Sequence, residues 1–318
     1  MTRSCRVCSD DGPHPAFVAH ERMFGTGEAF EYFQCAVCGC LQIADIPEDL
    51  SRFYPPHYYS FHLGPVRSGG IKGKLVGARD RFAASGSGLI GRLLCGKMPA
   101  QADVRALGRI PLRPSMRILD VGCGRGKLLS ILHRAGFRKL AGVDPYLAED
   151  TTIVDGIRVQ ATNLESISGE FDLIMLHHAF EHVGSGYELL HAASMRLAKG
   201  GKILLRIPSC DSDAFESYGA YWVGLDAPRH LFLYSRKSLE ILAEKVGLTL
   251  ESCWCDGDSF DYWGSEMYIR GLSLFHQDGS PRPPESVFDL TEMETFARLA
   301  AHSNLSDRGG QIAVILSK

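Results

Sequence analysis

Residues Arg117 to Ala135 constrain this chain more than any other stretch. Ile118, Leu119 and Val121 make a short apolar run that reads as a buried strand. The run breaks at Gly122, Gly124 and Gly126, and Lys127 to Ala135 continues with apolar residues at helical spacing. A strand, a glycine turn and a helix leave bare backbone and unpaired helix N–H groups facing whatever lies over the turn, which suits a bulky cofactor. Nucleotide-binding loops of several classes share such a GxGxG pattern. Two carboxylates sharpen it here. Asp120 precedes the turn, and a second predicted strand, Leu140 to Val143, ends in Asp144 one βαβ step further on, where a carboxylate can accept both hydroxyls of a ribose.

Four segments then follow one another in order: Leu119-Asp-Val-Gly-Cys-Gly-Arg-Gly126, Gly142-Val-Asp144, Phe171 to Val183 with its His-His-Ala-Phe-Glu-His core, and Leu197 to Pro208 with its Lys-Gly-Gly turn. Together they resemble the successive motifs of class I S-adenosylmethionine-dependent methyltransferases, over roughly residues 110 to 318. The resemblance implies the cofactor S-adenosylmethionine, with S-adenosylhomocysteine as its product, and a set of contacts. Gly122, Gly124 and Gly126 pass under the methionine moiety and Asp120 anchors it. Asp144 holds the ribose, Asn163 and Leu164 lie against the adenine, and His177 sits at the tip of the fourth strand beside the cofactor.

Beyond the first turn the pattern keeps alternating. Strands are predicted at Met116 to Val121, Leu140 to Val143, Ile157 to Gln160, Phe171 to Leu176, Gly201 to Ile207, Leu248 to Cys253 and Gln311 to Leu316, with helices from Lys127, over Tyr187 to Leu197 and over Ser235 to Val246. Such alternation means a mostly parallel sheet covered on both faces, its ligand crevice at the carboxyl ends of the strands. The expected fold is α/β: a Rossmann-like, seven-stranded, mostly parallel sheet with helices on both faces, preceded by a small zinc-ribbon module. By resemblance the last strand is antiparallel to its neighbours. The expected organisation is a ribbon over 1–50, a Tyr-rich and basic linker or helical segment over 51–110, and a methyltransferase domain over 111–318. An insertion at 255–308, carrying a helix Pro284 to His302, precedes the last strand.

The ribbon rests on Cys5-x₂-Cys8, a spacing of 26 residues, and Cys35-x₂-Cys38. Paired knuckles let four thiolates surround one tetrahedral Zn²⁺. A redox CxxC is normally single and lies beside a βαβ unit. Cys40, His14 and His20 are the substitutes nearest in sequence. The closed ligand set makes the metal structural, because a segment of this size buries too little surface alone and zinc binding can supply ~10 kcal/mol or more. The ten cysteines of this 318-residue chain are otherwise too dilute for a disulfide scaffold. The start has no apolar signal core and no run approaches the roughly 18 apolar residues of a membrane span, so a cytoplasmic protein is expected.

Phe53-Tyr-Pro-Pro-His-Tyr-Tyr-Ser-Phe61 comes next. A zinc ribbon, a Tyr-rich segment and a methyltransferase domain in that order resemble bacterial sugar methyltransferases of polysaccharide and secondary-metabolite pathways. Tyr54, Tyr58 and Tyr59 would wall the cofactor, stack on an acceptor, or join one domain to another. Residues 64–117 hold eleven Lys or Arg against only Asp80 and Asp103, so with a net charge of −3 the rest of the chain stands at −12. That asymmetry points to an anionic neighbour, or to a solvated helix face balancing an acidic domain. Candidate neighbours are a nucleotide-sugar diphosphate, an acidic glycan, the headgroups of an inner membrane touched peripherally, or RNA. Leu89-Ile-Gly-Arg-Leu-Leu reads as half of an interfacial helix.

A hydroxyl attacking a methyl group must lose a proton, and histidine is the natural acceptor near neutral pH. The candidates are His178 and His182 flanking Glu181 after the fourth strand, and His230 in the loop Tyr221 to Tyr234 after the fifth. His230 is the first choice as base. Glu181 and His182 look like the family's Glu-His element, in a catalytic or a loop-bracing role, and Arg229 is a candidate grip for an acceptor phosphate. A metal-dependent catechol-type mechanism would need a carboxylate cluster, which the sequence lacks. The favoured function is O-methylation of a sugar or glycan acceptor, a nucleotide-sugar or polysaccharide precursor. The alternatives are C-methylation of a deoxysugar and methylation of RNA gripped by the ribbon and basic segment. Against RNA, an amino-methylating enzyme would show an Asn/Asp-Pro-Pro-Tyr-like tetrad where this chain has His-His-Ala-Phe. A non-catalytic scaffold would not keep the Gly and Asp set. The identity of the acceptor and the oligomeric state are not written in the motifs.

Overall fold

The strand–turn–helix at Arg117 forms as the sequence requires, and the rest of the sheet is built outward from it. The computed structural model describes residues 3–55, 70–153 and 156–318. In chain order the strands are β1 (Ala16–His20), β2 (Ala29–Gln34), β3 (Leu41–Ile43), β4 (Arg117–Val121), β5 (Lys139–Val143), β6 (Thr151–Thr152), β7 (Arg158–Gln160), β8 (Phe171–His177), β9 (Leu197–Pro208), β10 (Phe232–Leu233), β11 (Thr249–Cys255) and β12 (Gln311–Ser317). The helices are α1 (Gly70–Ser85), α2 (Leu89–Lys97), α3 (Ala102–Leu107), α4 (Lys127–Ala135), α5 (Gly186–Met195), α6 (Asp213–Tyr218), α7 (Arg236–Lys245), α8 (Phe260–Ile269) and α9 (Leu290–Leu305).

The large sheet has the order β11-β12-β9-β8-β4-β5-β7-β6. Its centre is parallel: β4 pairs with β5 and β8 in that sense, β5 with β7, and β8 with β9. Eight strands replace the expected seven, the additional one being the two-residue β6, antiparallel to β7. Central strands covered on both faces must be apolar throughout. Accordingly Ile118, Leu119, Leu173, Ile174, Met175, Leu176, Ile203, Leu204 and Leu205 are all fully buried. α4 lays Leu128, Leu129, Ile131, Leu132 and Ala135 inward, and Gly136, left-handed, ends it by returning its N–H to the Leu132 and His133 carbonyls.

Two compact units divide the chain. One comprises 1–55, 180–190 and 207–314; the other comprises 56–179, 191–206 and 315–318. The first contains a four-stranded sheet, β1-β2-β3-β10. The three amino-terminal strands make the expected ribbon, and β10, far along the chain, adds a fourth by pairing Phe232 with Gln42 and Leu233 with Leu41. Tyr32, Leu41, Ile43, Phe232, Leu233 and Tyr234 form its dry core. A ribbon too small to bury its own surface thereby gains apolar partners from the catalytic half of the sequence.

Most boundaries fall within a residue or two of expectation, with two exceptions. The helix expected over Pro284 to His302 is a 3-10 turn, Pro284–Ser286, and then α9, because Asp289 caps the Glu292 N–H while Glu292 returns to the Asp289 N–H. β9 starts at Leu197, four residues early, so the Lys-Gly-Gly segment lies inside it and the register against β8 shifts between Phe171 and Leu173.

Candidate active site

The glycine turn sits between the carboxyl ends of adjacent parallel strands. Gly122, Gly124 and Gly126 all have positive φ, and a Cβ on Gly122 would run into the Ala179 methyl. The turn therefore tolerates no side chain at Gly122, either for its φ of 73° or for space. Asp144, at the end of β5, is 8% exposed. Its Oδ2 accepts the Gly124 N–H at 2.8 Å and its Oδ1 the Tyr146 N–H at 2.9 Å. Each oxygen keeps a second lone pair, so the carboxylate both locks the turn and can receive hydroxyl donors.

A cleft of about 140 Å³ opens beside this turn, lined by Gln101, Asp103, Asp120, Gly122, Lys127 and His177 among others. Asp120 is buried at its floor, and burial, with Asp103 and Asp144 nearby, pushes its carboxyl well above the usual range. Asp103 differs: burial works against its charge, but the cationic groups around it, Arg206 and Lys127 among them, outweigh it and hold the carboxyl below its ordinary value. Arg206 donates to the Asp103 carboxylate at 3.1 Å and to the Nε2 of His178 at 2.9 Å. A guanidinium can only donate, so His178 Nε2 accepts and the lone pair that a base would use there is occupied. Gln101, Asp103, Lys127 and Arg206 were not among the sequence candidates. Of these only Lys127, opening α4 next to the glycines, carried a local signal. Asn163 is exposed and Leu164 is buried in the 3-10 turn Leu164–Ser166 after β7.

The other candidates gather in the first unit. Glu181, His182 and His230 place their ligand atoms within 4.8 Å of one another. The rings of His182 and His230 meet edge to face at 4.7 Å. His182 Nδ1 lies 2.9 Å from the Arg229 carbonyl oxygen and 3.1 Å from the Tyr54 hydroxyl, and His230 Nδ1 lies 2.8 Å from the Gly224 carbonyl. A carbonyl can only accept, so each Nδ1 carries a hydrogen, and in a neutral imidazole the Nε2 keeps its lone pair; that of His230 lies 3.9 Å from Asp226 Oδ2. Burial first, and the neighbouring His230 second, lower the His182 pKa to about 4. Tyr54, one of the three tyrosines singled out in the sequence, thus braces an imidazole; Tyr58 and Tyr59 lie outside the described residues.

Arg229 corrects an expectation. Its guanidinium is fully buried, bonded to Asp226 at 2.6 Å and to Glu21 at 2.9 Å, and so unable to reach an acceptor phosphate. Glu21 also accepts the Phe24 and Thr26 N–H groups. Burial opposes the charge of Asp226, but Arg229 more than compensates and keeps its carboxyl low. The network clamps the β1–β2 turn to the loop that carries His230.

Cys5, Cys8, Cys35 and Cys38 converge, with Sγ–Sγ distances of 3.6 Å for Cys5–Cys38 and 3.5 Å for Cys8–Cys35. A tetrahedron with Zn–S bonds of about 2.3 Å sets its sulfurs about 3.8 Å apart, so the four fit such an ion closely. The Val7 N–H points to Cys5 Sγ, the Cys38 N–H to Cys35 Sγ, and the Gln42 amide donates to Cys5 Sγ at 2.9 Å. These are donors directed at thiolate acceptors. Cys40 lies outside the quartet. His14 bonds locally to Asp10 and Ala36, and His20 lines a separate small cavity.

A glycine-lined turn and a carboxylate at the carboxyl ends of adjacent parallel strands make the Rossmann-like arrangement in which nucleoside cofactors bind. Residues 97–253 match the family model described as a methyltransferase domain, so this part of the chain is an S-adenosylmethionine-dependent methyltransferase domain. Over 96 residues it is 31% identical to the mitochondrial ubiquinone biosynthesis O-methyltransferase of Saccharomyces cerevisiae, covering 27% of this chain and 31% of that protein. The match thus spans about a third of the relative's length. Among solved structures, the chain is similar to a methyltransferase from Archaeoglobus fulgidus (18% identical, 71% of this chain and 99% of that one, TM-score 0.41). Another is from Mesorhizobium loti (16% identical, 64% and 91%, TM-score 0.39).

Proposed function

We propose that the protein O-methylates a sugar or glycan hydroxyl, with His230 as the proton acceptor. Bound S-adenosylmethionine supplies an electrophilic methyl group. The chain's own residues do the rest. Asp144 receives the ribose hydroxyls, and the bare turn from Gly122 to Gly126 admits the methionine moiety. Asp103 and Lys127 offer opposite charges to its ammonium and carboxylate. Arg206 holds His178 in place beside Asp103.

The observation that carries the reading is the pair of imidazoles whose Nδ1 hydrogens are committed to main-chain carbonyls. Their Nε2 lone pairs are the kind of base a hydroxyl needs, worth ~10² to 10⁴ in rate. Between them, His230 takes the proton. His182 has lost basicity to burial, and a base far below the working pH is weak, so His182 and Tyr54 orient the pair. Glu181 and His182 follow His177, which lines the cofactor cleft, by a few residues in the sequence. The yeast relative's description as an O-methyltransferase agrees with an oxygen acceptor. The resemblance in domain order to sugar methyltransferases supplies the acceptor class. The four-cysteine site holds Zn²⁺ in a structural role.

The test is calorimetric titration of S-adenosylmethionine, followed by a panel of nucleotide-sugars into the cofactor-loaded protein and mass detection of methylated product. Methyl transfer to one sugar hydroxyl, abolished by His230→Ala with cofactor affinity retained, is expected. Methylation of RNA or of a carbon atom, or full activity of His230→Ala, would refute the reading.

A further inference from the structure

The cations that α1 and α2 contribute divide into two sets. Arg79 bonds the fully buried Asp80, as does Arg134 from α4, and Arg81 donates to the Ala135 carbonyl. Lys72, Lys74, Arg92 and Lys97 are exposed, and none takes part in an ion pair among the described residues. Asp80 is the only acid in either helix, so the exposed surface of the hairpin carries positive charge alone.

The same surface is apolar. Ile71 and Leu89 are 80% exposed, Leu93 76%, Ile90 60%, Met98 48% and Leu75 41%. Packing forces this arrangement. Gly91 is buried against α1, where a Cβ would strike the Ala78 carbonyl and Phe82, and Cys95 on the same side donates to the Arg79 carbonyl. At about 100° per residue, Leu89, Ile90 and Leu93 then share an arc turned away from α1, with Lys97 at its end. Ile71 and Leu75, one turn apart on α1, lie between Lys72 and Lys74.

We propose that the α1–α2 hairpin docks on a bilayer surface bearing anionic headgroups. Exposed leucines alone would suit any apolar partner. Leucines and isoleucines interleaved with cations and free of surface acid match a surface that is negative at headgroup level and hydrocarbon just beneath it. Lysine and arginine stems lie along the apolar face while their charges reach the phosphates. Leu89, Ile90 and Leu93 enter the acyl boundary. No described helix is long and apolar enough to cross a membrane. It goes beyond the methyl-transfer reading and does not rest on it.

The experiment is co-sedimentation of the full zinc-loaded chain with vesicles of phosphatidylcholine alone or mixed with phosphatidylglycerol, at low and raised ionic strength. Binding is expected only to the mixed vesicles, falling as salt screens the cations. Leu89→Ser with Leu93→Ser should weaken it at least about tenfold. Lys72→Gln with Arg92→Gln should weaken it by about fivefold per charge. Retained binding of S-adenosylmethionine shows that the variants are folded. Absence of binding to mixed vesicles at low salt, or indifference to the leucine changes, overturns the proposal. So does a dimer that light scattering detects and Leu93→Ser dissociates without any vesicle binding, or retention of RNA in place of vesicles.

Discussion

Lowering the pH should destabilise this protein through His182 in particular. In the unfolded chain its imidazole titrates near 6.5, while in the folded chain burial and His230 bring it to about 4. Between those values the folded state binds fewer protons than the unfolded one, so stability rises with pH. The contribution is fully present above about 6.5 and is lost progressively as pH falls towards 4. A difference of about 2.5 units corresponds to about 3 kcal/mol at 1.36 kcal/mol per unit. His182 as a residue is half-buried, which reduces this to ~2 kcal/mol and to a fall in Tm of roughly 4 °C or somewhat more. The assay compares thermal unfolding of the wild type and His182→Gln from about pH 7.5 to about pH 4.5. Glutamine keeps a donor for the Arg229 carbonyl but no titrating group, so the variant should lose less stability on acidification by about that amount. Equal losses in the two proteins, or an imidazole resonance of His182 titrating near its ordinary value, would refute the reasoning.

Three further outcomes are expected. Asp144→Ala should weaken S-adenosylmethionine by ~10² or more, since it removes charge-assisted bonds of ~1.5 to 3 kcal/mol each and frees the Gly124 and Tyr146 N–H groups; calorimetry reads this directly. Glu21→Gln should cost ~3 to 5 kcal/mol in denaturant unfolding, because it takes one carboxylate from the fully buried Arg229, and an unchanged midpoint would argue against the network. Chelation of zinc, or Cys38→Ser, should expose Tyr32 and the ribbon core to solvent. Metal analysis should find about one Zn²⁺ per chain in the wild type and limited proteolysis should cut the ribbon after chelation.

The buried pair Arg229 and Glu21 shows how a loop can be made precise without touching the chemistry. Removing water from a guanidinium is costly, and it persists here because three carboxylate oxygens and the Phe53 carbonyl receive it. Next in sequence stands His230, whose main-chain carbonyl accepts the hydroxyl of Tyr32 at 2.8 Å. Backbone and side chain of the proposed base are therefore both tethered, one to the ribbon and one to the Gly224 carbonyl.

What could be read from the sequence is what depends on neighbours along the chain. The glycine turn, its φ values, the helix that follows and the carboxylate one βαβ step later are local, because a cofactor lying on bare backbone is recognised by consecutive residues. The CxxC knuckles are local for the same reason: two sulfurs and the N–H groups directed at them come from one short turn. The tertiary structure decided whatever needs two distant segments. It brought β10 to the ribbon sheet, a pairing across about 190 residues. It set Asp103 from α3 beside Lys127, buried Arg229 where the sequence suggested a surface grip, and joined Tyr54, His182 and His230. No periodicity records such encounters, because each is the outcome of burying apolar faces cooperatively, and side chains meet where that packing leaves them.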